Sequence, residues 1–198
     1  MTTAGKTVKM PEKKLTLFEE PGEINTEKCI EIAGDNLKFG YKYIVLATTA
    51  GTTAVKFGKH FKDAPVKIVA VTHSTGFEKP SVQQVSEKTK DEIKSLGIEL
   101  FTGTILTHSL ETALSKKYSG LYPAQIIAST YRTICQGVKV CAEIVMEACD
   151  AGLIPESEEV IAVAGTGWGA DTVCIVKSRA SKRFLDLRIL EILAKPRA

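Results

Sequence analysis

The chain has 198 residues, 44% of them hydrophobic and 25% charged, a globular composition that excludes a disordered or collagen-like polypeptide. A chain of this length buries about 70% of its unfolded surface, enough for a core without disulfide or metal staples. The formal charge is +3 with acids and bases intermixed, so nothing marks a nucleic-acid-binding face, and no apolar run approaches a membrane span.

Residues 1–14 are polar, carry Lys6, Lys9, Lys13 and Lys14, and read as an arm without a secretory signal. Leu15 to Phe18 alternate like a short strand. Asn25 or Thr26 caps a helix whose apolar stripe is Cys29, Ile30, Ala33 and Leu37, and Gly40 ends it. Tyr43 to Leu46 is an apolar run too short for a helix, hence a buried strand. A second helix follows with Ala54, Val55, Phe57 and Phe61 inward, and Pro65 stops it. Val66 to Val71 is the next strand. Ser81 is expected to cap a third helix on Val82, Val85, Ile93 and Leu96, closed by Gly97. Ile98 to Phe101 is a third strand, and 109–118 a short helix.

From Pro123 the residues Ile127, Tyr131, Ile134, Val138, Cys141, Val145 and Ala148 step by three or four, which predicts one long helix. Val160 to Ala164 and Val173 to Val176 are strands, and Phe184 to Leu193 fits a helix or a strand equally. Strand–helix alternation predicts an α/β sandwich with a mainly parallel sheet. The loop 165–171 is too short for a parallel crossover, so the strand after it is expected to be antiparallel and at a sheet edge. The chain is read as one domain over 1–198, with the arm 1–14 in front and an extension, 179–198, behind.

Five cysteines at 29, 135, 141, 149 and 174 form no C-x-x-C pair and fit neither a disulfide framework nor a zinc site. They are expected to be reduced core thiols of a cytoplasmic protein. No metal motif is present.

In open α/β sheets ligands bind beyond the carboxyl ends of the strands. Four loops there are rich in Gly, Ser and Thr. The first, Thr48 to Thr53, runs into a helix N-terminus, where free N–H groups and the dipole favour an anion. Gly51 is expected to let the backbone approach a phosphate, with Thr49, Thr52 and Thr53 as hydroxyl donors. It lacks the G-K-[ST] of a Walker loop. The second is His73-Ser74-Thr75-Gly76, and the third Thr102-Gly103-Thr104. The fourth is Gly165-Thr166-Gly167-Trp168-Gly169-Ala170-Asp171, which precedes a strand and so is not a dinucleotide fingerprint. Its indole is placed to stack on a planar ring. Asp171 reads as a turn or capping residue. His73 and His108 lie near strand ends, each a general acid, a phosphate donor or an ordinary surface histidine, and Arg132 lies on the long helix, a partner for a ligand phosphate or for a surface carboxylate.

The strand and loop YIVLATTAGTTA at 43–54 resemble the start of the C-terminal domain of pyruvate kinase. KIVAVTHS at 67–74 is similar to that domain's second strand, and EEVIAVAGTGWGADTVCIVKS at 158–178 to its last hairpin. The resemblance covers roughly residues 24–178 and identifies the chain as a stand-alone pyruvate kinase C-terminal-domain-like protein. It implies a three-layer α/β/α sandwich with a mixed five-stranded sheet in the order 3-2-1-4-5, the fifth antiparallel. It implies no pyruvate kinase activity, because the catalytic barrel is missing.

Carried over, an effector phosphate would meet Thr48, Thr49, Gly51, Thr52 and Thr53. The hairpin loop maps onto Gly165 to Thr172, which has no Arg or Lys and so suits one phosphate better than two. Similar stand-alone proteins are associated with flavin mononucleotide (FMN), which implies FMN as cofactor. Three classes stay open: an FMN-binding oxidoreductase or carrier, a regulatory module sensing another phosphorylated metabolite, and an interaction subunit. The expected partner is a phosphorylated small molecule, with neither nucleic acid nor membrane; self-association into a homo-oligomer stays open.

Overall fold

The computed structural model describes residues 12–197, so most of the polar arm lies outside the described residues. Seven strands form one sheet: β1 (Thr16–Phe18), β2 (Tyr43–Ala47), β3 (Lys67–His73), β4 (Glu99–Gly103), β5 (Glu159–Ala164), β6 (Thr172–Lys177) and β7 (Arg188–Pro196). Their order is β1-β7-β6-β5-β2-β3-β4. The helices are α1 (Thr26–Leu37), α2 (Thr52–His60), α3 (Glu87–Ser95), α4 (Leu110–Tyr118), α5 (Pro123–Arg132) and α6 (Gln136–Asp150).

The five expected strands occur in the expected order, β4-β3-β2-β5-β6, and β6 runs antiparallel to β5. Two corrections apply. The sheet has seven strands, not five, and β6 is not an edge. β7 pairs antiparallel with β6, and β1 pairs parallel with β7, Thr16 opposite Ala194. The reason is burial: Cys174 and Val176 alternate with Val173 and Ile175, and all four are inaccessible, so both faces and the outer edge of β6 need cover. The tail that fitted either periodicity becomes a strand because β6 offers it a ladder. Residues 188–196 therefore complete the sheet instead of extending from it.

Alternation along the strands builds two cores. Ile44, Leu46, Ile68, Ala70, Ile161 and Val163 face one side with Cys29, Ile30, Ala33, Ala54, Phe57 and Ile93 of α1–α3. Val45, Val69, Val71, Val160, Ala162 and Ala164 face the other with Val138, Cys141, Ala142 and Val145 of α6. The result is the three-layer sandwich. Among the described residues no helix is long and apolar enough to cross a membrane.

Two helix boundaries differ from the sequence reading. The long helix is broken between Arg132 and Gln136, and Cys135 is extended (φ −177°, ψ 165°). Before the break the Thr130 and Thr133 hydroxyls donate to the Ile126 and Thr130 carbonyls, at 2.9 and 2.6 Å. Such back-bonding competes with helix continuation. After it, Cys135 Sγ accepts the Val138 N–H at 3.4 Å as a new N-cap. α3 starts at Glu87, capped by Ser86, whose Oγ accepts the Thr89 N–H at 3.2 Å. Ser81, the expected cap, instead has φ +62° within the turns preceding α3.

Cys29, Cys135, Cys141 and Cys174 are buried and Cys149 is half-buried, all as free thiols. Burial raises the Cys29 and Cys141 thiols well above the ordinary thiol range and pushes Cys149 up to about 11. Thiolates are the reactive species, so the native chain should show at most one slowly reacting thiol, Cys149, with all five reacting after denaturation. A disulfide-exchange assay with and without denaturant measures this. Two fast native thiols would contradict it.

Candidate functional site

A cleft of about 300 Å³ opens beyond the carboxyl ends of β2, β3 and β5, between the amino end of α2 and the inner face of α6. The β2–α2 loop forms its floor. Thr48 N–H donates to the Val71 carbonyl at 2.9 Å, Thr48 Oγ1 accepts the Gly51 N–H at 3.1 Å, and the Thr72 hydroxyl donates to the Thr49 carbonyl at 3.0 Å. The first intrahelical bond of α2 runs from Val55 N–H to the Gly51 carbonyl. Gly51 has no side chain to cap the helix, so the N–H groups of Thr52, Thr53 and Ala54 are left for another acceptor. Thr53 is 5% exposed, lines the cleft, and its hydroxyl bonds to no described residue.

Of the sixteen expected site residues, the cleft gathers Thr48, Thr49, Thr52, Thr53, His73, Gly165, Gly167, Trp168 and Gly169. The others have structural duties. Gly51 (φ +93°) turns its bare Cα toward Thr89, Ile93 and Val85 of the α3 side, not toward the cleft. Its freedom serves the turn and the packing of α3. Ser74, Thr75 and Gly76 form a turn leading away, with Phe77 N–H on the Ser74 carbonyl and Gly76 N–H on the Val82 carbonyl. Only His73 and the unforeseen Phe77 remain at the cleft, their rings 4.2 Å apart.

Asp171 is inaccessible. Its Oδ2 accepts the Gly22 and Thr166 N–H groups at 2.8 and 3.0 Å, and its Oδ1 the Thr172 hydroxyl at 2.7 Å. It pins the β5–β6 loop to the start of α1, the turn role expected of it. Thr172 packs on Gly137 of α6. Thr166 takes part in the loop clasp through its N–H and does not line the cleft. Trp168 stands at the rim, 56% exposed.

His73 Nδ1 lies 2.7 Å from Gln84 Oε1, and Gln84 Nε2 donates to Glu78 at 3.0 Å. That chain orients the amide, so Nδ1–H is the donor to Gln84. His108 is held below its ordinary value by burial and then by the Lys139 and Arg132 charges, so its imidazole is neutral at pH 7. The break between α5 and α6 brings Arg132 and Gln136 together at the cleft, Nε donating to Oε1 at 2.7 Å.

The sequence reading missed the α6 wall. Lys139, Glu143 and Glu147 recur every four residues and line the cleft, each at most 5% exposed. Lys139 pairs with Glu143 Oε2. Glu143 Oε1 also accepts the Thr107 N–H and hydroxyl, at 2.8 and 2.7 Å. Glu147 bonds to no described residue. Burial, followed by the neighbouring Glu143 charge, pushes its carboxyl up to about 8. The available signal was the i, i+4, i+8 spacing of three charges beside an apolar stripe, which puts all three on one face.

The family model of the pyruvate kinase alpha/beta domain matches residues 31–176. Among solved structures, a pyruvate kinase from Cryptosporidium parvum is 15% identical, with a TM-score of 0.38, over 81% of this chain and 24% of that one. A Cryptosporidium parvum pyruvate kinase in complex with ADP is 14% identical, with a TM-score of 0.40, over 82% and 25%. A pyridoxal 5'-phosphate-dependent aspartate racemase is 15% identical, with a TM-score of 0.33, over 72% and 47%. The chain spans about a quarter of the length of those pyruvate kinases. With a match across most of its length, from α1 to the end of β6, the chain belongs to the family of the pyruvate kinase alpha/beta domain.

Proposed function

We propose that this chain binds a small phosphorylated molecule in the cleft, with the phosphate at the amino end of α2, and that the ligand is FMN. The observation that carries the reading is the α2 terminus. Three N–H groups without helical partners and the Thr53 hydroxyl, which bonds to no described residue and lines the cleft, lie where the macrodipole is positive. The charge around the cleft agrees. Lys56, Arg132 and Lys139 line it, against Glu23, Glu143 and a Glu147 held neutral at pH 7. The residues also suit a planar ring in kind: Trp168 stands exposed beside the phosphate loop, and the His73–Phe77 pair faces the same cleft. The volume, about 300 Å³, lies at the small end of the range for small-molecule sites.

The test is titration of FMN and inorganic phosphate into the wild-type chain and two variants. Thr53→Ala should weaken both ligands, because a hydrogen bond to a charged group is worth about 1.5–3 kcal/mol. Trp168→Ala should weaken FMN about tenfold and leave inorganic phosphate unchanged, since stacking contributes roughly 0.5–1.5 kcal/mol beyond burial. Unchanged affinities in Thr53→Ala would move the phosphate elsewhere. Phosphate binding without FMN binding would favour a sensor of another phosphorylated metabolite.

A further inference from the structure

We propose that Glu147 forms a second recognition subsite on the α6 wall of the cleft, donating a hydrogen bond to an acceptor group, a carbonyl oxygen or ring nitrogen, of the phosphorylated molecule held at α2. The inference rests on the phosphate reading and adds what recognises the rest of that ligand.

Three observations carry it. The first is isolation. Glu147 is 95% buried by its 5% exposure, lines the cleft, and makes no hydrogen bond to a described residue. Its carboxyl is not sealed off from the cleft, so its bonding capacity is open to a molecule bound there. The second is accommodation. Glu147 Oε2 occupies the space that a Cβ would need at Gly103, the last residue of β4. A side chain there would displace the carboxyl, so the strand end leaves room for it. The third is the division of labour along α6. Glu143 takes the Lys139 ammonium and both Thr107 donors, and leaves Glu147 no cation of its own.

Those neighbours decide the chemistry. With its proton retained at pH 7, Glu147 offers an O–H donor where an ionised carboxylate would only accept. The charged and titratable groups around the same cleft are Glu23 before α1, His73 on β3, His108 after β4, Arg132 on α5 and Lys56 on α2. On α6 itself they are Lys139, Glu143 and the nearby Asp150. The two acids on that helix oppose ionisation of Glu147, and Lys139, which favours it, is engaged by Glu143.

The experiment is carboxyl NMR of the full chain labelled with ¹³C-glutamate, titrated from pH 5 to 10 with and without FMN, the Glu147 resonance being assigned by its loss in Glu147→Gln. FMN should raise the titration midpoint of Glu147. Its affinity should fall by up to about tenfold for each pH unit between the free and bound midpoints. Glu147→Gln keeps an N–H donor, so it should bind FMN within about threefold of wild type, without that pH dependence. Glu147→Leu should lose about tenfold for FMN and nothing for inorganic phosphate. A midpoint lowered by FMN would mean that the wall takes a cationic group, which overturns the proposal. In a parallel ¹⁵N-labelled sample, shifts at the Thr52 and Thr53 amides with Glu147 unmoved would overturn the subsite and leave the phosphate reading standing. Shifts at neither place would overturn both.

Discussion

Glu147→Gln should stabilise the chain, and by more at pH 9 than at pH 5. The carboxyl sits at about 8 in the folded chain against an ordinary 4.5, so the folded state holds a proton that the unfolded state has released. Between those values the unfolded state binds fewer protons, and stability falls as pH rises, with the full cost reached above about 8. At about 1.4 kcal/mol for each pH unit across that window, the loss is on the order of several kcal/mol, large against ordinary domain stability. Glutamine has the same shape and cannot ionise. His108 acts in the opposite sense. Held low in the folded state, it favours unfolding at acid pH and stops doing so as pH passes its ordinary 6.5. Both chains carry that contribution, so the difference between wild type and Glu147→Gln isolates Glu147. Urea denaturation at pH 5, 7 and 9 measures it. Parallel stability curves for the two chains would mean that Glu147 is ionised at neutral pH.

Gly51→Ala is expected to be the most damaging single methyl addition in the β2–α2 loop. The residue has φ +93°, a left-handed conformation that costs about 1–2 kcal/mol for an L side chain. The new Cβ would also collide with the Thr89 methyl and crowd Ile93 and Val85, overpacking worth about 1–3 kcal/mol more. A melting temperature lower by roughly 5–15 °C is expected for a chain of this size. Gly40→Ala is the control: its φ is +89°, but nothing lies within 4 Å of the added carbon, so only the backbone cost applies. Equal losses in the two variants would show that α3 does not press on Gly51.

The α2 terminus and the α6 wall complement each other in how they treat charge. One side offers N–H groups and a hydroxyl to an anion. The other offers a carboxylic acid kept neutral by its burial and then by the neighbouring Glu143 charge. The pinned Asp171 loop holds Trp168 over the opening between them.

Local pattern was enough for the strands of the central sheet. Tyr43–Ala47 and Val160–Ala164 are continuous apolar runs between turn residues, too short for a helix and so strands covered on both faces. The antiparallel turn before β6 followed from loop length alone. The β2–α2 loop was legible as a strand-to-helix turn because its Thr- and Gly-rich residues stand between a short apolar run and an amphipathic stripe. Tertiary contacts decided the rest. Residues 188–196 carry both periodicities weakly and became a strand only because the edge of β6 was waiting. The α5–α6 break is a local event, yet it persists because Gly137 lets α6 close onto Thr172, a contact between residues far apart in sequence. That Gly51 also makes room for α3 showed only once the two helices were packed. The carboxyl of Glu147 became notable only when β4 ended in a glycine beside it and Glu143 had taken the lysine. Sequence determines which residues prefer burial and with what period; which buried polar groups find partners depends on what the fold brings next to them.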